Sequence, residues 1–367
     1  MAKERILFAI TRSDLGGAQK HILWLIENLV DEFDVRVVVG EIGYLTSELE
    51  HLGVSYQFIP SLVRQISPIR DIKTIRCIRS EIKSFQPSII HLHSFKAAML
   101  GRIATIGKSR HVVVTVHGWS FTDGNPRSRQ FIGIPVEKLL APFSDRLVTV
   151  SKRDFDTAIR KKIGRTDQLV LIPNGVPDIT PSKPGSGKNN KVLSLICVGR
   201  LCEQKNQLAL VEILDLLPEY CQLILVGDGP HRQQIEQRID ELGLSGRVTI
   251  DTDNTHPENL LQNADIYVSL SKWEGLPLSI IEALRAGLPV VATDVGGSSE
   301  LVVNRKNGCL ITRNSKEVVV KALTELVGDS DLREGMGRNS RSLYLREYTL
   351  DRFIRKTREM YRAMLNN

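Results

Sequence analysis

Short, uninterrupted apolar runs alternate with stretches of helical period along most of the chain. ILFAI (6–10) leads into AQKHILWLIENLV, whose apolar residues recur every three to four positions, and DVRVVVG is the next apolar run. VSYQFI, PSIIHLH, HVVVTVH, DRLVTVS and QLVLIP continue the series. Runs this continuous suit strands buried on both faces, and the helices between them predict parallel α/β sheets. One complete sheet is expected by about residue 175. PDITPSKPGSGKNNK (177–191) then breaks the pattern with Pro, Gly, Ser and Asn and reads as a linker. A second series follows in VLSLICVG, CQLILVG, RVTI, ADIYVSL, LPVVAT and CLIT. The expected fold class is α/β, with two doubly wound Rossmann-like domains facing across a cleft. Their expected bounds are 1–178 and 191–350, joined by a linker at 179–190. Residues 351–367 read as a further helix, whose apolar Phe353, Ile354, Met360, Tyr361 and Met364 can dock on either domain, packing back on the first being one outcome.

A chain of 367 residues exceeds one ordinary hydrophobic core, in keeping with two domains. No segment holds the roughly 18 apolar residues needed to cross a bilayer. The apolar run in MAKERILFAI is too short for a secretory signal, so a cytoplasmic protein is expected. Five scattered cysteines without paired spacing suit reduced thiols. The net charge of +7 is concentrated: residues 61–170 hold 20 Lys and Arg against 8 Asp and Glu, an excess of 12, and the rest of the chain sums to −5. Lys73, Arg76, Arg79 and Lys83 lie beside the stripe Ile72, Ile75, Ile78, Ile82. Such a segment attracts anions, and an anionic membrane surface is an expected partner, met peripherally on the inner face. The stripe by itself also reads as core.

Ligands of doubly wound sheets bind beyond the carboxyl ends of the strands, and the candidate chemistry lies there. In SKWEGLPLSIIEALRAG, Glu274 precedes a helix that Pro277 can open, and Glu282 lies more than a turn inside. Six residues of helix from Leu276 to Glu282 span roughly 9 Å. That reach fits a sugar, a diphosphate and a ribose. The peptide N–H groups of Gly275, Leu276, Pro277's neighbours and Leu278 would meet the diphosphate at the positive end of the helix dipole, leaving one carboxylate for sugar hydroxyls and the other for ribose. VGRLCEQKN places Gly199 and Arg200 after a strand and Lys205 near the next helix, two cations for a diphosphate whose charge grows as the glycosidic bond breaks. TRSDLGGAQKH puts Gly16 and Gly17 at a helix start without the G-x-G-x-x-G spacing, so a phosphate or acceptor contact is favoured over a dinucleotide. His117 ends a strongly apolar strand beside Gly118 and can donate a hydrogen bond to a sugar. His91 and His93 share a strand face, but a metal would need a third ligand that the pattern does not single out. No metal and no cofactor are therefore expected; His93 and Lys20 are assigned to the acceptor side.

In order and spacing, the glycine loop, VHG, VGRL with QKN, VGDGP and EGLPLSIIEALRAGLPVVATDVGG resemble the retaining glycosyltransferases of family 4, of the bacterial surface-polysaccharide type. The resemblance covers nearly the whole chain and implies the GT-B fold. It implies that Glu274 contacts the donor sugar, Glu282 the ribose, Arg200 and Lys205 the diphosphate, Gly17 the phosphate region, and His117 the sugar near the reacting centre. Gly296, Gly297 and Glu300 match the family's glycines and acid after Asp294. Thr252 stands where the family commonly has glycine. The implied reaction moves a hexosyl or N-acetylhexosaminyl group, with retention, from a nucleotide diphosphate sugar, more often UDP-linked, to a lipid-linked or polysaccharide precursor such as that of lipopolysaccharide. Nucleic acid is not an expected partner. Two other readings stand beside it: a nucleotide-sugar epimerase on the same fold, and a non-catalytic basic protein for membranes or nucleic acid. Asp251-Thr252-Asp253 after a strand also offers the metal-binding triplet of a different transferase class.

Overall fold

The structure, a computed structural model, describes residues 3–107, 110–122, 127–179, 192–253, 257–312 and 315–366. The expected linker falls almost wholly at 180–191, outside the described residues. The chain divides into two compact units, one of residues 1–174 and 352–367, the other of residues 175–351.

In the first unit the strands are β1 (Glu4–Ile10), β2 (Phe33–Val39), β3 (Ser55–Phe58), β4 (Ile89–His93), β5 (His111–Val116), β6 (Arg146–Thr149) and β7 (Leu169–Leu171). They form one parallel sheet in the order β3-β2-β1-β4-β5-β6-β7. Helices α1 (Gly17–Glu27), α2 (Tyr44–His51), α3 (Pro68–Phe85), α4 (Phe95–Thr105), α5 (Arg127–Leu140) and α6 (Lys152–Lys161) make the crossovers. Helices covering both faces exclude water from the central strands, so β1 and β4 tolerate apolar residues at nearly every position. Ile6 to Ile10 are all buried. The edge strand β3 (SYQF) is short and largely exposed, which limits edge pairing.

The second unit repeats the plan with β8 (Leu193–Val198), β9 (Cys221–Val226), β10 (Val248–Asp251), β11 (Ile266–Ser269), β12 (Val290–Thr293) and β13 (Gly308–Ile311), in the order β10-β9-β8-β11-β12-β13. Its helices are α7 (Gln207–Leu214), α8 (Arg232–Glu241), α9 (Glu258–Asn263), α10 (Leu278–Arg285), α11 (Ser298–Leu301), α12 (Lys316–Gly328) and α13 (Ser330–Glu347). All thirteen apolar runs expected to be strands form strands. The last helix, α14 (Leu350–Leu365), buries Phe353, Ile354, Met360, Tyr361 and Met364. Residues 352–367 belong to the first unit; there Arg358 and Arg362 reach Glu32 at 2.6 and 2.8 Å, and Tyr361 packs edge-on to Phe33.

Where the chain enters the second unit it is held on several sides. Val176 donates its N–H to Tyr348 at 3.0 Å and accepts from Leu350 at 2.9 Å. Tyr344 Oη donates to Val176 O, Arg285 donates to Pro177 O, and Arg341 grips both oxygens of Asp178.

In both sheets the strand order reverses beside the first strand, between β1 and β4 and between β8 and β11. Crevices of this topology open at the carboxyl ends there. In the second unit glycines let the loops at those ends touch. Gly227, at φ +130°, leaves no room for a side chain: a Cβ would stand 2.6 Å from Gly199 O. Gly296, at φ +54°, would carry a Cβ 2.1 Å from Glu274 O and 2.8 Å from Gly275 O. Its neighbour Gly297 donates to Gly275 O at 2.6 Å. Both the left-handed backbone and the contact with unyielding carbonyls oppose any side chain at 296. Gly296→Ala is expected to cost about 3 kcal/mol or more by denaturant unfolding. Gly246→Ala, where nothing lies within 4 Å of the added carbon, is expected to stay within about 0.5 kcal/mol.

Candidate active site

At the reversal point of the second sheet, Lys205 and Glu274 meet. β8 ends at Val198, and Gly199 (φ +148°) turns the chain into the loop 200–206. Asn206 takes a left-handed conformation (φ 55°) at the start of α7, so Lys205 lies in the turn before the helix. Across from it, β11 leads into the loop 270–277, whose Lys272 N–H donates to Gln204 O at 2.8 Å while Gln204 Nε2 donates to Trp273 O at 2.9 Å. This lacing brings Lys205 Nζ to 2.6 Å from Glu274 Oε1. Their side chains are 16% and 8% exposed. Burial alone would push the ammonium's pKa down, but the Glu274 carboxylate more than offsets it and the pKa is raised. Lys205 is therefore firmly charged. Arg200, one loop residue past Gly199, is exposed.

The helix after Glu274 begins one residue later than expected, since Pro277 is the cap of α10 rather than its first residue. No side chain caps its first turn. Gly275 sits in the loop, while Leu276, Pro277 and Leu278 are buried. Glu282 lies inside α10 and is only 3% exposed. Gly296 and Gly297 lead into α11, which carries Glu300. Asp251 ends β10, and Asp253 is exposed beyond it with its carboxylate accepting from Thr252.

The first unit gathers histidines at its own reversal point. β4 presents His91 and His93, β5 runs into His117, and α1 buries His21. His93 Nδ1 and His117 Nε2 lie 3.0 Å apart and share one proton. His21 Nδ1 is 2.9 Å from Asn174 Oδ1; a neutral ring donates there to the amide carbonyl, which leaves its Nε2 as the lone-pair atom. His91 uses both nitrogens, one with Thr115 Oγ1 at 2.7 Å and the other with Tyr361 Oη. Phe8 packs against His91 and His93, and Phe353 against His21. Burial among these rings pulls the His21 pKa down to about 4 and those of His91, His93 and His117 well below the ordinary range. The cluster is neutral at pH 7.

Gly16 and Gly17 stand at the start of α1, where Gln19 Nε2 donates to Arg12 O at 3.1 Å, and Lys20 is half-buried in the first turn. Nearby, Thr11 and Ser94 hydroxyls join the ends of β1 and β4 at 2.8 Å. The structure thus brings together Gly199, Lys205 and Glu274 in one unit and His93 with His117 in the other. His93 is fully buried and meets His117. His21 escaped the sequence reading. Its signal was position: His21, Ile22, Leu25 and Ile26 share the buried face of α1, where a histidine needs a partner.

Two family models match, glycosyl transferase 4-like domain over residues 16–175 and glycosyl transferases group 1 over residues 178–343. An Escherichia coli enzyme, UDP-Gal:alpha-D-GlcNAc-diphosphoundecaprenol alpha-1,3-galactosyltransferase, is 30% identical over 96% of this chain and 95% of its own. The O-antigen biosynthesis glycosyltransferase WbnH of Escherichia coli is 26% identical over 86% and 88%. Among solved structures, Anabaena HepE in complex with UDP has a TM-score of 0.82 at 21% identity, covering 98% of this chain and 100% of its own. Sucrose-phosphate synthase from Thermosynechococcus elongatus has 0.84 at 18%, covering 99% and 100%. The fold is of the GT-B class, and the family models and relatives make the chain a glycosyltransferase. The chain belongs to the glycosyl transferase family whose group 1 and 4-like models it matches.

The buried rings link stability to pH. A folded pKa of about 4 for His21, against 6.5 as the ordinary value, means that the unfolded chain binds more protons below pH 6.5. Stability is complete above that pH and is lost as pH falls toward 4, about 3 kcal/mol from His21 alone. The other three rings act in the same direction. Urea unfolding of the full chain between pH 7.5 and 5 is expected to show this slope, and His21→Gln to flatten part of it. An identical slope in the variant would show that the ring is not held neutral.

Proposed function

We propose that the chain is a retaining glycosyltransferase that moves a hexosyl or N-acetylhexosaminyl group from a UDP-sugar to a lipid-linked or polysaccharide precursor. The observation that carries the donor side is the largely buried Lys205–Glu274 pair at the reversal point of the second sheet. A lone ammonium there would be poorly tolerated, and a lone carboxylate equally so. Together they offer an arriving donor both halves of what it needs. Lys205, with Arg200, meets the diphosphate, and Glu274 accepts from sugar hydroxyls. The first-turn N–H groups of α10 add the helix's positive end to the phosphate site, and Glu282 takes ribose hydroxyls.

The cations act most strongly where charge grows. As the anomeric C–O bond breaks, the departing UDP gains negative charge, and fixed cations stabilise that state more than the bound donor. The acceptor oxygen attacks the same face from which the diphosphate leaves, and a phosphate oxygen of the leaving group takes the hydroxyl proton. His117, neutral and held by His93, donates a hydrogen bond to the sugar beside the reacting carbon. Gly16 and Gly17 admit phosphate close to the backbone of α1, and Lys20 lies toward the acceptor. No step requires a metal. Support for UDP and for a lipid-linked acceptor comes from the complex with UDP solved for HepE and from the acceptor named for the Escherichia coli relative.

The basic first unit fits such an acceptor. Ile69 is 85% exposed on α3, and Phe131 and Leu139 are 81% and 71% exposed on α5, with Arg70, Lys73 and Lys138 on the same helices. Exposed apolar side chains with cations on the same helices suit an anionic bilayer surface. No described helix is long and apolar enough to cross a membrane.

Thermal shift with UDP-, GDP- and ADP-sugars tests the donor: a UDP-sugar at a hundred times its Kd is expected to add about 2.7 kcal/mol of stability, and no response to any UDP-sugar would remove the assignment. Arg200→Ala is expected to lower kcat by about a hundredfold or more with folding stability within about 0.5 kcal/mol of the parent; the anomeric coupling of the product by NMR reads the stereochemistry. For the surface, vesicles rich in phosphatidylglycerol should carry the protein in flotation while purely zwitterionic vesicles should not. The triple variant Ile69→Ser, Phe131→Ser, Leu139→Ser should stay at the bottom with both.

A further inference from the structure

We propose that His21, His93 and His117 form a binding site for a divalent transition metal ion of the zinc or cobalt type within the first unit. One nitrogen from each of these rings lies within 4.8 Å of the other two. They come from three different elements, α1, β4 and the loop after β5, so no local repeat explains their meeting. A tetrahedral ion with bonds of 2.0–2.1 Å sets its ligand atoms about 3.3 Å apart. His93 Nδ1 and His117 Nε2 are already at 3.0 Å, and a nitrogen of His21 completes a set that falls within 4.8 Å.

A second observation points the same way. His21 is prepared as a ligand: Asn174 accepts from its Nδ1–H at 2.9 Å, which fixes the tautomer and directs the Nε2 lone pair away, the usual second partner of a metal-bound imidazole. His91, whose two nitrogens are engaged by Thr115 and Tyr361, stays outside the ligand set and packs at 4.2 Å from His93. Phe8 and Phe353 supply the apolar wall. Three imidazoles and no carboxylate select zinc, cobalt, nickel or copper over magnesium, manganese and calcium. They leave a tetrahedral ion one open position, and His117, the least buried of the three, marks the side from which it opens. This inference does not depend on the transferase reading.

The test is titration of the chelator-stripped full chain with Co2+, followed by the visible bands of the tetrahedral ion. One ion per chain is expected, displaced by Zn2+. His21→Gln and His93→Gln should each weaken binding at least tenfold, and His51→Gln, on the exposed end of α2, should not. X-ray absorption on the zinc-loaded parent chain needs no variant and should show three imidazole ligands without sulfur. Absence of a stoichiometric site, binding that survives both variants, or a sulfur ligand from any of the five cysteines would overturn the proposal.

Discussion

An ammonium group taken out of water costs several kcal/mol unless an anion takes the place of its hydration shell, and in the second unit that anion is Glu274. The pair at 2.6 Å depends on everything around it. Lys205 reaches the carboxylate only because Gly199 and Asn206 accept left-handed backbone on either side of the loop. Glu274 is presented only because Gln204 and Gly297 hold its loop from two directions. The glycines that allow these approaches have no chemistry of their own. They set how closely two strand ends can come, and so fix the distance at which opposite charges meet.

Much of this plan was legible along the chain because parallel sheets covered on both faces impose a plain pattern. Strands such as ILFAI and VVVTV have no solvent side, so the apolar run is continuous and its limits are sharp. Placement of Lys205 and Glu274 after the first and fourth strands of the second series then followed from topology, since the strand order reverses between those two. The start of α10 differed by one residue, as helix ends do when a proline can serve as cap or first residue.

What the pattern concealed was long-range. In α3 the stripe Ile72, Ile75, Ile78, Ile82 has one helical period, yet Ile78 and Ile82 are buried while Ile72 is half-exposed. Periodicity identifies a face; it does not say where along the helix the neighbouring element stops. The partners of His93 were equally hidden. His21 and His117 lie 72 residues before and 24 after it, and only the folded sheet brings α1 and the β5 loop to one place.

The two units share a strand order, and their reversal points nevertheless have opposite electrical character. One holds a full positive and a full negative charge, partly open to solvent. The other holds four neutral rings in a nearly closed apolar pocket, where burial suppresses protonation. A paired ammonium and carboxylate largely cancel at a distance, act on a ligand in contact, and resist disturbance by pH near neutrality. A neutral, buried site attracts no diphosphate, but its lone pairs and N–H groups act at full strength on a group in contact, because the surrounding dielectric is low. The same topology has therefore not produced the same chemistry at its strand ends. The difference arises from which side chains the strand ends carry, a lysine and a glutamate against histidines, on nearly the same backbone.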